Sequence, residues 1–98
     1  MFLRIAAWVQ SVAETIENRV LVRYFAAAAE AAGCQEEWLS VRPEASLEQI
    51  LARAVHLHGS SLNTVLARCS FLVNGITRRD HALPASGEID VLPPFAGG

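Results

Sequence analysis

The sequence predicts an α+β domain: a mixed sheet of about five strands packed on one main helix, plus a short helix. Three observations carry this. Short apolar runs with period-two alternation recur at residues 20–25, 37–41, 70–73, 76–78 and 88–92, which is the spacing of strands. One longer stretch, residues 47–57, carries its apolar side chains at helical spacing. The first two strands are separated by an alanine-rich segment instead of a tight turn, so they are joined by a helical excursion. A single long helix can cover one face of one sheet, which gives two layers.

The elements follow in order. Phe2, Ile5, Val9, Val12 and Ile16 recur three and four apart, so residues 1–18 read as an amphipathic extension, either a docking helix or a dispensable addition. Asn18 is expected to break that pattern. Val20 to Phe25 is the first strand, rich in β-branched and aromatic residues. Alternation puts Val20, Val22 and Tyr24 on one face and Leu21, Arg23 and Phe25 on the other, and Arg23 turns that second face outward. Ala26 to Ala32 forms a short helix stopped by Gly33. Glu37 to Val41 is the second strand, with Trp38 and Ser40 alternating against Leu39 and Val41.

Ser46-Leu47-Glu48-Gln49 fits a capping box, with Ser46 as N-cap and Gln49 at the third helical position. Leu47, Ile50, Leu51, Ala54 and Leu57 then form the packing stripe, and Gly59 ends it. Leu62, Val65 and Leu66 suggest a further short helix within 60–68. Ser70 to Val73 is the third strand. Asn74-Gly75 is a hairpin signal, because both central residues of a type I′ turn need positive φ. Ile76 to Arg78 is the return strand, and Leu83 is expected to plug the following loop into the core. Glu88 to Leu92 is the last strand, with Ile89 and Val91 on one face.

Composition narrows the function classes. The chain has 98 residues, half of them hydrophobic, and a net charge of −2; it is one small domain, large enough for a core of its own. Acids and bases are interspersed, there is no lysine, and Arg78-Arg79 is an isolated pair, so no clustered basic face marks a nucleic-acid partner. No apolar run approaches the ~20 residues of a membrane span. The start lacks a secretory signal pattern, so a cytoplasmic protein is expected, with Cys34 and Cys69 as reduced thiols buried like small hydrophobes. His56 and His58 diverge on a helix and His81 lies in a loop, so no metal site is read from spacing. Paired carboxylates, a Ser/His/Asp set and a phosphate loop are not found.

What stands out is the end, Leu92-Pro93-Pro94-Phe95-Ala96-Gly97-Gly98. Two glycines carry no side-chain chemistry, but they make a slim strand that can thread a narrow channel. Pro93 and Pro94 stiffen the exit from the last strand, and Phe95 supplies an apolar anchor. Residues 93–98 thus read as a flexible tail on a domain spanning 19–92. The group it offers is the carboxylate of Gly98.

With this tail, the strand-helix-strand-helix order, Val73-Asn74-Gly75 and Ser86-Gly87-Glu88, the chain resembles the ubiquitin-like β-grasp sulfur carriers. Within them it is most similar to the small subunits of molybdopterin synthase. The resemblance covers residues 20–98, about four-fifths of the chain; residues 1–18 have no counterpart in it. It implies that Gly98 is adenylated by an ATP-dependent adenylyltransferase related to ubiquitin-activating enzymes. A sulfurtransferase then makes the thiocarboxylate. That tail enters the large subunit of molybdopterin synthase and gives its sulfur to a pterin precursor. It further implies a non-catalytic subunit with no permanently bound cofactor. Gly97 and Ala96 would thread the channel, and Phe95 and Pro94, with Leu21, Phe25 and Leu72, would meet the partner. Carriers for thiazole, cysteine or tRNA thiolation, and a ubiquitin-like protein modifier, share the same tail and are the alternatives.

Overall fold

A computed structural model describes residues 18–94. The expected helix at the N-terminus and the tail residues Phe95, Ala96, Gly97 and Gly98 lie outside the described residues. Five strands, β1 (Asn18–Tyr24), β2 (Glu36–Val41), β3 (Ser70–Val73), β4 (Ile76–Thr77) and β5 (Glu88–Leu92), form one sheet in the order β2-β1-β5-β3-β4. β1 runs antiparallel to β2 and parallel to β5, and β3 is antiparallel to both β4 and β5. Asn18, expected to break the pattern, is the first residue of β1 and pairs with Val41.

Helices cover one face: α1 (Ala27–Ala32), α2 (Leu47–His58) and α3 (Ser60–Leu66). Val20, Val22, Tyr24, Leu39, Phe71, Val73, Ile89 and Val91 point from the sheet into the core, as period two requires. They meet Ala28, Leu47, Ile50, Leu51, Ala54, Leu62 and Leu66 from the helices. Each such aliphatic side chain stabilises the fold by about 1.5–3 kcal/mol relative to exposure.

Local chemistry fixes the helix ends. Ser46 Oγ accepts from the Gln49 amide at 3.1 Å, and the Ser46 amide donates to Gln49 Oε1 at 2.9 Å, closing the expected capping box. Gly33 ends α1 at φ 75°, a left-handed geometry suited to glycine. Gly59, at φ 97°, separates α2 from α3 by one residue.

Two expected core residues are not in the core. Leu57 is 50% exposed, because the buried stripe continues from Ala54 to His58 at a spacing of four, leaving Leu57 on the flank of α2. Leu83 is 49% exposed. The loop is closed by its backbone instead: Leu83 O accepts from the Leu47 amide, and the Ala85 amide donates to Ala45 O. Ala85 supplies the buried contact.

Asn74 and Gly75 turn at φ 51° and 81°, the positive values their hairpin needs. Asn74 also reaches the start of β5. Its amide donates to Glu88 O at 2.8 Å. Its Nδ2 donates to Ser86 O at 3.0 Å and its Oδ1 accepts from the Glu88 amide at 2.9 Å. The Asn-Gly and Ser-Gly-Glu segments are thus one latch. Gly87 sits inside it at φ 80°, where an added Cβ would lie 2.2 Å from Asn74 Oδ1. Gly87→Ala combines backbone strain with loss of that hydrogen bond, so a loss of about 1–3 kcal/mol is expected in chemical denaturation. An unchanged midpoint would refute the latch.

Candidate functional site

The site is built around the root of the tail. β5 is the central strand, paired on both sides: Tyr24 opposes Val91 on β1, and Ser70 opposes Leu92 on β3. The Phe25 amide adds a hydrogen bond to Val91 O at 3.2 Å, just past the end of β1. Pro93 is half-buried and Pro94 exposed, so the chain leaves the sheet as soon as the ladder stops. Pro cannot extend that ladder, which makes Leu92 a sharp boundary between held and released backbone.

Beside this root lies the sheet face that, among the described residues, no helix covers. Leu21, Leu72 and Leu92 are half-buried there and Phe25 is 36% exposed. Expectation from alternation and Arg23 placed Leu21 and Phe25 on an outward face, and they are on it; Leu72, named only among the residues to meet a partner, shares that face. Trp38 belongs to the same surface and was missed. It stands opposite Leu21 on the edge strand β2 and is 57% exposed. The signal was present: Trp38 alternates with Ser40, and a serine companion marks the wet side of a strand.

Charge is interleaved with these apolar groups. Arg23 Nη1 donates to Glu88 Oε1 at 2.7 Å, and its Nε stands 3.8 Å from Asp90 Oδ1. The Arg23 guanidinium is held above its ordinary pKa, first by the hydrogen bond to Glu88 and then by Asp90. Arg23 also lies over the Phe25 ring at 5.5 Å and Arg19 over Trp38 at 5.1 Å, so each aromatic carries a cation over its ring. Asp90 Oδ1, on the central strand opposite Leu72, is buried and accepts no hydrogen bond among the described residues.

A second polar group lies on the opposite, core-facing side. Glu37 Oε2 accepts from the Tyr24 hydroxyl at 2.6 Å and meets His58 Nε2 at 2.6 Å. Cys34 completes the group, with the ligand atoms of Cys34, Glu37 and His58 all within 4.8 Å of one another. Burial, then the hydrogen bond to Glu37, pushes the Tyr24 phenol far above its usual range. Burial and then Glu37 raise the Cys34 thiol as well. Spacing compared His58 only with His56 and His81. His56 is exposed, and His81 packs edge-on against Phe71 with ring centres 5.0 Å apart. Both cysteines are free but half-buried, not fully buried as expected, since each sits in a connection just outside a regular element.

A five-stranded mixed sheet with helices on one face and a parallel central pair is a ubiquitin-like β-grasp fold. The ThiS family matches residues 22–98, and the chain belongs to that family. It is 31% identical over 83 residues to the molybdopterin synthase sulfur carrier subunit of Chlamydomonas reinhardtii, covering 82% of this chain and 99% of the relative. Among solved structures, the small archaeal modifier protein SAMP1 of Haloferax volcanii superposes with a TM-score of 0.72 at 24% identity, covering 83% of this chain and all of that one. In a complex of subunits 1 and 2 of the molybdopterin-converting factor of Helicobacter pylori, the matching chain gives a TM-score of 0.54 at 24% identity. That match covers 83% of this chain and 100% of the other. Among the described residues, no helix is long and apolar enough to cross a membrane.

Proposed function

We propose that this chain is the sulfur-carrying small subunit of a molybdopterin synthase, with Gly98 as the carrier. The observation that carries the reading is the 31% identity to a sulfur carrier subunit across nearly that protein's whole length. The family match also runs through residue 98, so it includes the two glycines.

The chemistry asks little of the fold. A carboxylate at neutral pH is a poor electrophile. An adenylyltransferase joins the Gly98 carboxylate to the α-phosphate of ATP and releases pyrophosphate. A sulfurtransferase then supplies sulfur, AMP departs, and a thiocarboxylate remains. Being ionised and nucleophilic, it needs no base from this protein to attack a pterin precursor in the large subunit. Gly97 and Ala96 keep the strand narrow. Phe95 and Pro94 would meet the partner at its entrance.

The uncovered face beside the tail root is the docking surface for the large subunit. Leu21, Phe25, Leu72 and Trp38 supply its apolar area. Leu72→Ala and Leu21→Ala are each expected to weaken binding to the large subunit by about 5–30-fold, the equivalent of ~1–2 kcal/mol. Leu83→Ala, on an exposed loop, should leave it unchanged. Equal effects at all three positions in calorimetric titration would remove this face from the interface.

Intact-mass spectrometry of protein from its native host tests the carrier itself. One C-terminal oxygen replaced by sulfur is the expected state; its persistent absence under protective conditions would overturn the reading. The second reading, a modifier joined through Gly98 to lysines of other proteins, is favoured by the fold shared with SAMP1. It predicts covalent adducts in the same spectra.

A further inference from the structure

We propose that Cys34, Glu37 and His58 form a binding site for one zinc ion, on the helix-covered side of the sheet and separate from the docking face. Their ligand atoms lie within 4.8 Å of one another. They come from three different places in the fold. Cys34 follows Gly33, whose left-handed φ of 75° turns the chain out of α1 toward β2. Glu37 is on the core-facing side of β2, in the alternation that buries Leu39. His58 ends α2 at the position where the buried stripe would continue.

Glu37 is the unusual member. A carboxylate on the inner face of a sheet is costly unless compensated. Among the described residues, Glu37 has no arginine within ion-pair distance, and the chain contains no lysine. The partners it does have are a hydroxyl, an imidazole and a nearby thiol. A thiolate, an imidazole and a carboxylate together suit a borderline-soft divalent ion and not magnesium or calcium.

Geometry permits it. Tetrahedral zinc with bonds of about 2.0–2.3 Å separates its ligand atoms by roughly 3.3–3.7 Å. The His58–Glu37 distance of 2.6 Å would open by about 1 Å, within the reach of small rotations of both side chains. Tyr24, already donating to Glu37 and edge-on to His58 with ring centres 6.1 Å apart, orients both ligands from the second layer. Binding exchanges the His58–Glu37 hydrogen bond for bonds to the metal. Cys34 Sγ loses its proton to solvent, His58 binds through Nε2 as the neutral tautomer that carries its proton on Nδ1, and nothing is oxidised or reduced. Three protein ligands leave a fourth position for water. The ion would tie the α1–β2 connection, β2 and the end of α2 together.

The test uses the full chain, stripped of metal and titrated with zinc and cobalt chlorides. One equivalent of zinc should bind, and cobalt should give a thiolate-to-metal charge-transfer band. Cys34→Ser should abolish that band, while Cys69→Ser should leave it intact. Tyr24→Phe, which keeps the ring but removes the second-layer hydroxyl, should weaken zinc binding by about 10–100-fold. Circular dichroism of each metal-free variant shows whether it is folded. No saturable one-to-one binding by the parent chain would overturn the proposal. A cobalt band that survives Cys34→Ser would do the same.

Discussion

Removing Gly98 is expected to abolish sulfur transfer and leave the fold untouched. The carboxylate then moves back to Gly97, one residue short of the activating centre. One extended residue spans about 3.3–3.6 Å, whereas attack on ATP tolerates misplacement of only a fraction of that. Loss to background is therefore expected in both adenylation-dependent pyrophosphate release and pterin sulfuration. Stability should not follow, because the last strand ends at Leu92 and the described core contains nothing beyond Val91. The melting temperature should stay within about 4 °C, as a change below ~0.5 kcal/mol allows. Gly97→Ala should act more mildly, raising KM for the synthase partner through the added Cβ. Retained sulfuration without Gly98 would remove the tail from the chemistry.

Ile50→Ala is expected to show the opposite profile. Ile50 is fully buried on the central face of α2, among core residues from the sheet and from α3. Replacing it with alanine loses apolar transfer energy and leaves a cavity, at a cost of about 2–5 kcal/mol. A domain of this size has about 5–15 kcal/mol in total. The midpoint should fall by roughly 10 °C or more in thermal melts. At temperatures where the variant is still folded, its tail is intact and sulfur loading should be near normal. A small stability change would mean that α2 is not the lid of the core. Together the deletion and the substitution separate the role proposed for the tail from the stability of the domain that carries it.

The elements were legible wherever a local rule determined them. The capping box at Ser46 and Gln49, the Asn74-Gly75 turn, and the two faces of β1 are each decided within a few residues, and each is where the sequence placed it. Leu57 and Leu83 went astray because hydrophobicity says that a residue prefers burial, not that the fold has room for it. At Leu57 the stripe drifts to His58, and at Leu83 backbone hydrogen bonds close the loop. Strand order left no local trace, and neither did the link from Asn74 to Ser86 and Glu88, twelve and fourteen residues away. The meeting of Cys34, Glu37 and His58 was hidden for the same reason: spacing compares residues along one element, whereas this group is assembled by the packing of three. The outward sheet face was half legible. Arg23 revealed its direction, but Trp38 was read as a strand former and not as a surface.

The parallel pairing of β1 with β5 bears on how the protein comes into being. These are the first and last of the described strands, and Leu21 and Glu88 find each other across most of the domain's length. Contacts so distant in sequence are slow to form, because a large loop must close before they contribute anything. During synthesis β1, the helices and the β3–β4 hairpin emerge first, and the middle of the sheet stays an open slot until β5 arrives. The strand that fills this slot is the one that leads into the tail. Maturation is therefore self-ordering: the sheet is complete only once the strand that leads toward the C-terminus has filled its slot.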